Sequence, residues 1–190
     1  MKDYVEKVIR TASPDYFDTN HNIQHGIEGI VTECCELLEC YEDGNRVELI
    51  EEIGDICWYM ALICNEYKIT FDTLKEKVYD METYHNSDMS FIVPKLCVYA
   101  GKIMDASKRA HFYKKENGLQ ESKVLENLSY IYSLIEEACA TVGTDLDHVQ
   151  DVNIKKLTAR YPEKFNADQA TFRNVENERK VLEENVHAKK

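Results

Sequence analysis

Helix breakers are scarce: the 190 residues include only 3 prolines and 7 glycines. That argues against a turn-rich β-sandwich and for long helices. No apolar run approaches the ~20 residues a bilayer span needs. The opening MKDYVEKVIRTASPDYF has no apolar signal region, so a cytoplasmic protein with no membrane partner is expected. Positive charge is short as well, with 23 Lys and Arg against 35 Asp and Glu and a net charge of −12. Nucleic-acid polymers bind through clustered cations, so none is expected as a partner. A small anionic substrate is compatible with this charge if metal ions stand between it and the protein. The seven cysteines form no CxxC pair and are odd in number. Most sit at helical apolar positions, which reads as reduced core thiols rather than a zinc site or disulfide framework.

Apolar residues make up 44% of the chain and tyrosines number 12, enough for a folded core and against disorder. Periodicity and breakers place helices at residues 2–11, 22–41, 46–67, 70–84, 94–113, 121–142 and 145–159, with an amphipathic helix between 168 and 184. EDGN forms a turn in which Gly44 takes the left-handed conformation, and HNSD reads as a linker.

Two acidic pairs then stand out, Glu33/Glu36 and Glu52/Asp55. At about 100° per residue, Ile27, Ile30, Val31, Cys34, Leu37, Leu38 and Tyr41 form one apolar arc. Glu33 lies at its edge with Glu36 just beyond. On the next helix Glu52 and Asp55 take the equivalent edge of the arc made by Leu49, Ile53, Ile56, Cys57, Met60, Ile63 and Cys64. Packed antiparallel, the two helices bring the four carboxylates together beside the core. Their repulsion calls for hard divalent cations, and all-oxygen ligation suits Mg²⁺ or Mn²⁺. The bland reading is a pair of solvated acidic faces, since a lone ExxE means little in so acidic a chain. A di-iron carboxylate bundle would need Glu-x-x-His pairs, and the sequence has none.

The run TECCELLECYEDGNRVELIEEIGDICWY resembles the signature of the MazG-like, all-α nucleotide pyrophosphohydrolases, in which ExxE on one helix is followed by ExxD on the next. HFYKK, NIKKLTARYPEKF and ENERKVLE are similar to the C-terminal halves of MazG-like proteins often found in bacteriophages, which would place the protein in a host cytoplasm. The resemblance implies metal-dependent hydrolysis of a nucleoside triphosphate to the monophosphate and pyrophosphate, with Glu33, Glu36, Glu52 and Asp55 as metal ligands. Many relatives carry a glutamate just before ExxE, implicated in some of them in activating the water. Here that position is Thr32, so Glu33 becomes the candidate base.

The pattern restarts after Pro94. Shifted by 75 positions, ITFDTL (69–74) lies over TDLDHV (144–149), and shifted by 66, ELLEC (36–40) lies over KIMDA (102–106). This suggests a helical bundle of two MazG-like repeats, 1–90 and 91–165, with a C-terminal helical tail at 166–190. The metal acids become Tyr99, Lys102, Asn127 and Tyr130 in the second repeat, which therefore cannot hold the metals. Conversely Asn153, Lys156 and Arg160 share one helical face and replace Val78, Met81 and His85. A composite site is expected, with metals from one repeat and phosphate-binding cations from the other. The alternative is that Lys156 and Arg160 merely cap a helix C-terminus. Lys102 joins Asn153, Lys156 and Arg160 as an expected substrate contact. Trp58 and Tyr59 are further candidates for sugar or base, although Trp58 also suits an interface between repeats. His21, His25 and His111 read as structural or surface residues, and Lys108, Arg109, Lys114 and Lys115 as a solvated face. A homodimer is expected. The rival function is a catalytically inactive nucleotide-binding or interaction bundle.

Overall fold

The computed structural model describes residues 2–13, 19–78, 88–113 and 119–187. Along them run α1 (Lys2–Thr11), α2 (Thr19–Asp43), α3 (Arg46–Glu66), α4 (Phe71–Val78), α5 (Met89–Tyr113), α6 (Glu121–Thr141), α7 (Leu146–Arg160), α8 (Ala167–Thr171) and α9 (Val175–Val186). The described residues include no strand, so the fold is all-α as expected. None of their helices is long and apolar enough to cross a membrane.

Two antiparallel hairpins, α2–α3 and α5–α6, form the centre, with α2 laid on α5. The apolar arcs meet here. Ile27, Ile30, Cys34 and Leu37 of α2 and Ile53, Ile56, Cys57 and Met60 of α3 are almost wholly buried in one core. Each large aliphatic side chain so buried contributes about 1.5–3 kcal/mol before entropy is counted. All seven cysteines are free thiols, and Cys34, Cys57, Cys64 and Cys139 are buried.

Local chemistry sets the helix ends. Gly44 stands at φ 69° after α2, and the Asn45 side chain accepts from the backbone N–H groups of Val47 and Glu48 to start α3. A matching turn closes α3 and α6. Ile69 N–H bonds to Cys64 C=O at 3.0 Å, and Thr144 N–H to Cys139 C=O at 2.9 Å. The left-handed residues there are Lys68 (φ 56°) and Gly143 (φ 73°). The short helix after each hairpin then crosses to the other one, α4 packing on α6 and α7 on α3. Two close approaches depend on a missing Cβ. A Cβ on Gly29 would lie 2.2 Å from the Tyr59 ring, and one on Gly54 would lie 3.0 Å from Asn153 Cβ. The second brings α7 down onto the acidic end of α3.

Some boundaries differ from the sequence reading. Helix α5 begins at Met89, not at Pro94, because Asp88 caps it through Phe91 N–H and the early turn buries Met89, Ile92 and Val93. That burial outweighs the one hydrogen bond Pro94 cannot donate. The tail helix is two helices, since the Asn174 side chain accepts from Asn177 N–H and starts α9 afresh. The expected end of α4 at residue 84, the HNSD linker up to Ser87, Met81, His85, Lys114 and Lys115 lie outside the described residues.

Candidate metal centre and active-site cavity

A cavity of about 400 Å³ opens where α2, α3 and α7 meet the start of the tail. One wall is acidic. Glu33 and Glu36 come from α2, and Glu51, Glu52 and Asp55 from α3. Oxygens of Glu33, Glu36 and Glu52 lie within 4.8 Å of one another. Glu52 is only 7% exposed, and its Oε2 is buried without any hydrogen-bond donor. A hard, all-oxygen donor set with an orphaned buried carboxylate oxygen fits a divalent cation.

Asp55 stands beside this trio rather than within it. Asn153 Nδ2 donates to its Oδ1 at 2.7 Å, and Lys156 Nζ meets its Oδ2 at 2.5 Å. The Lys156 side chain, 1% exposed, also pairs with Glu51 at 3.1 Å. Burial alone would lower the Lys156 pKa, but the charges of Asp55 and Glu51 outweigh it and raise the value. Lys156 is thus the fixed counter-ion of the acidic wall.

The acids repel one another when no cation is present. Burial, and then the charge of Asp55, pushes Glu33 up to about 7 and Glu52 up to about 9 from an ordinary 4.5. Both shifts are upward, so the folded chain keeps a proton that the unfolded chain loses as pH rises past about 4.5. Stability of the cation-free protein therefore falls from there towards about pH 9. A bound cation removes the repulsion. If a divalent cation binds the trio, its gain in melting temperature over chelator-treated protein is expected to be larger at about pH 8.5 than at about pH 6. A gain that shrank with rising pH would contradict this electrostatic account.

Thr32, in the place of the relatives' glutamate, offers no carboxylate. Its hydroxyl lies 2.9 Å from Gly29 C=O and 3.3 Å from Glu33 Oε1. Its single proton favours the shorter contact.

An aromatic wall adjoins the acids. Trp58 and Tyr59 both line the cavity, with ring centroids 4.9 Å apart in an edge-on arrangement. His25 packs edge-on against both. Trp58 Nε1–H donates to Thr11 Oγ1 at 2.9 Å, which fixes the indole against α1. Burial, and then the charge of Glu33, pushes the Tyr59 hydroxyl up to about 12, so it remains a donor.

The third wall carries guanidinium groups. Arg160 and Arg173 line the cavity and converge on buried Glu178 of α9. Arg160 reaches both of its oxygens, at 3.0 and 2.5 Å, and Arg173 reaches one at 2.7 Å. Burial opposes the charge of Glu178, but these hydrogen bonds win and lower its pKa. Arg10 of α1 binds the carbonyls of Tyr161 and Glu163, at 3.0 and 2.5 Å. It thereby shapes the loop that brings Tyr161 and Phe165 to the cavity.

Three of the expected substrate contacts have the following neighbours. Asn153 is buried between Asp55 and the Tyr4 hydroxyl, 3.1 Å away, and is not among the cavity-lining residues. Lys156 reaches the cavity, with two of its three ammonium donors on Asp55 and Glu51. Lys102 is absent from the lining and sits 4.3 Å over the Tyr99 ring. Tyr99 in turn stacks on Tyr130 at 4.5 Å, so an aromatic stack stands at the positions aligned with Glu33 and Asp55. Glu51, Arg173, Glu178, His25 and Thr11 were not singled out as site residues by spacing. Glu51 pairs with Lys156 of α7, 105 residues away, and Arg173, in the loop before α9, pairs with Glu178 of α9, and helical phase within one segment does not register such pairs.

Residues 22–81 match the MazG nucleotide pyrophosphohydrolase domain. That segment covers α2 from Asn22 onward, α3 and α4, and so contains every acid of the cavity wall. No curated protein and no solved structure matches the chain.

Proposed function

We propose that this protein hydrolyses a nucleoside or deoxynucleoside triphosphate to the monophosphate and pyrophosphate, with Mg²⁺ or Mn²⁺ held by Glu33, Glu36 and Glu52 and with Asp55 beside them. The observation that carries the reading is one cavity joining a hard-cation carboxylate trio to two arginines. Its acidic wall lies wholly in the segment that matches a nucleotide pyrophosphohydrolase domain. A divalent cation there would neutralise phosphate oxygens and acidify a bound water.

The chain's own groups supply the rest. Each guanidinium has five N–H donors. Glu178 takes two from Arg160 and one from Arg173, so both retain donors for phosphate oxygens. Their charge meets the negative charge that accumulates on departing pyrophosphate. A water oxygen bonds to the α-phosphorus while the bond to the bridging oxygen breaks and its electron pair leaves with pyrophosphate. Glu33 would accept the water's proton. Tyr59 and Trp58 offer an edge-and-face aromatic pocket for sugar and base. The close correspondence of the turns after α3 and α6 supports reading the two hairpins as repeats, the second having exchanged its acids for a tyrosine stack.

The test is a panel of standard and modified nucleoside triphosphates and alarmones, with monophosphate and pyrophosphate detected separately in the presence of Mg²⁺. Equimolar release of both from a triphosphate is the expected result. Binding without release across the whole panel would favour the inactive interaction bundle instead. Exposed Phe91 and Val98 on α5 support the expected homodimer. Light scattering that gave a 22.1 kDa particle at micromolar concentration would count against it.

A further inference from the structure

The seam between α2 and α3 carries a further set of ligands beyond the four motif acids. Cys40 lies four residues after Glu36 on α2, and Glu48 lies four residues before Glu52 on α3. One helical turn nearer the Gly44 hairpin, Cys40 Sγ, a Glu48 oxygen and a Glu52 oxygen lie within 4.8 Å of one another. Two ligand triangles thus share Glu52, which is more than nine-tenths buried and has an oxygen that no donor reaches. Glu48 Oε1 is held from the tail by Arg179, and Arg179 is itself braced on Glu183 at 2.7 Å. A carboxylate oriented by a partner outside the cluster is the usual arrangement of a metal ligand.

We propose that Cys40, Glu48 and Glu52 form a second divalent-cation site, selective for thiophilic ions of the Zn²⁺ and Cd²⁺ class over Mg²⁺. The donor chemistry decides the class. One sulfur and two carboxylates suit a borderline or soft ion, whereas Mg²⁺ prefers oxygen alone. On binding, the Cys40 thiol gives its proton to solvent and its sulfur electron pair to the ion, with no change of oxidation state. Glu52 serves both triangles, so an ion in this site competes for a ligand of the hard-cation trio. Thiophilic ions are therefore expected to weaken Mg²⁺ binding at the trio.

The experiment is a Cd²⁺ titration of the full chain, followed through the ultraviolet thiolate-to-cadmium charge-transfer band. One thiolate per chain is expected to bind at micromolar Cd²⁺. Cys40→Ser should abolish the band while helicity is kept, and Cys35→Ser, at an exposed thiol, should leave it intact. Arg179→Ala should weaken Cd²⁺ affinity roughly 10-fold by freeing Glu48. A band that survives Cys40→Ser, or no band in the parent protein, overturns the site. The readout does not depend on catalysis. Normal Mg²⁺-dependent turnover without the band sinks this site alone, whereas the band without turnover on any nucleotide sinks the functional reading alone.

Discussion

Glu33→Gln is expected to lower Mg²⁺-dependent pyrophosphate release by roughly 10²- to 10⁴-fold, the range for loss of a positioned proton acceptor. It keeps the size of the side chain while removing one anionic ligand of the trio. Glu52→Gln should be at least as damaging, because Glu52 is the most buried of the three acids. The same substitutions should act oppositely on stability. Glu33 and Glu52 are acids whose pKa values burial and neighbouring charge raise, so ionising them opposes folding when no cation is bound. In chelator at about pH 8 both amide variants are expected to melt higher than the parent. The pairing of lost turnover with gained cation-free stability separates a metal ligand from a residue that merely supports the fold. A Glu33→Gln variant with parental turnover, or one that melts lower in chelator, would refute the assignment.

Lys156→Met carries the largest expected effect on stability. The substitution keeps an apolar stem of similar length and removes the ammonium that compensates Glu51 and Asp55. Breaking a fully buried pair costs ~3–5 kcal/mol. Here the carboxylates retain 16% and 25% exposure, so about 2–4 kcal/mol is expected, seen as a melting temperature lower by roughly 5–15 °C. The raised Lys156 pKa means that its contribution is complete below the unfolded value of 10.5 and is lost only as pH rises beyond it. The deficit should therefore be present at neutral pH. With the lysine gone, a divalent cation is the remaining neutraliser of this wall, so Mg²⁺ should stabilise the variant more than it stabilises the parent. If Lys156→Met melts like the parent and loses only substrate affinity, Lys156 is a phosphate contact, as its helical position alone suggested.

The all-α class, the α2–α3 hairpin and the acidic pairs were legible in the sequence because each is a local property. Three prolines leave helices uninterrupted, the Gly44–Asn45 turn carries its own cap, and the phase that buries Ile53 and Met60 also sets Glu52 at the seam. The NIKKLTAR face was legible as a row of polar groups, but its partners were not. Whether Lys156 meets phosphate or Asp55 depends on how closely α7 approaches α3, and Gly54 decides that by offering Asn153 the space of a missing Cβ. Likewise Asp55 shares its turn with Glu52 in the sequence. Tertiary packing distinguishes them, because a lysine buried to 1% exposure must have anions and α7 brings it to Asp55 and Glu51, not to Glu52. Lys102 shows the same limit: alignment with Glu36 gives a position along a helix, whereas the acidic cavity lies on the hairpin that α7 and the tail cover, and Lys102 is not among its lining residues. The Arg160–Glu178–Arg173 clasp spans α7, the loop after α8 and α9. No periodicity within one helix encodes a contact whose free energy comes from closing the chain back on itself.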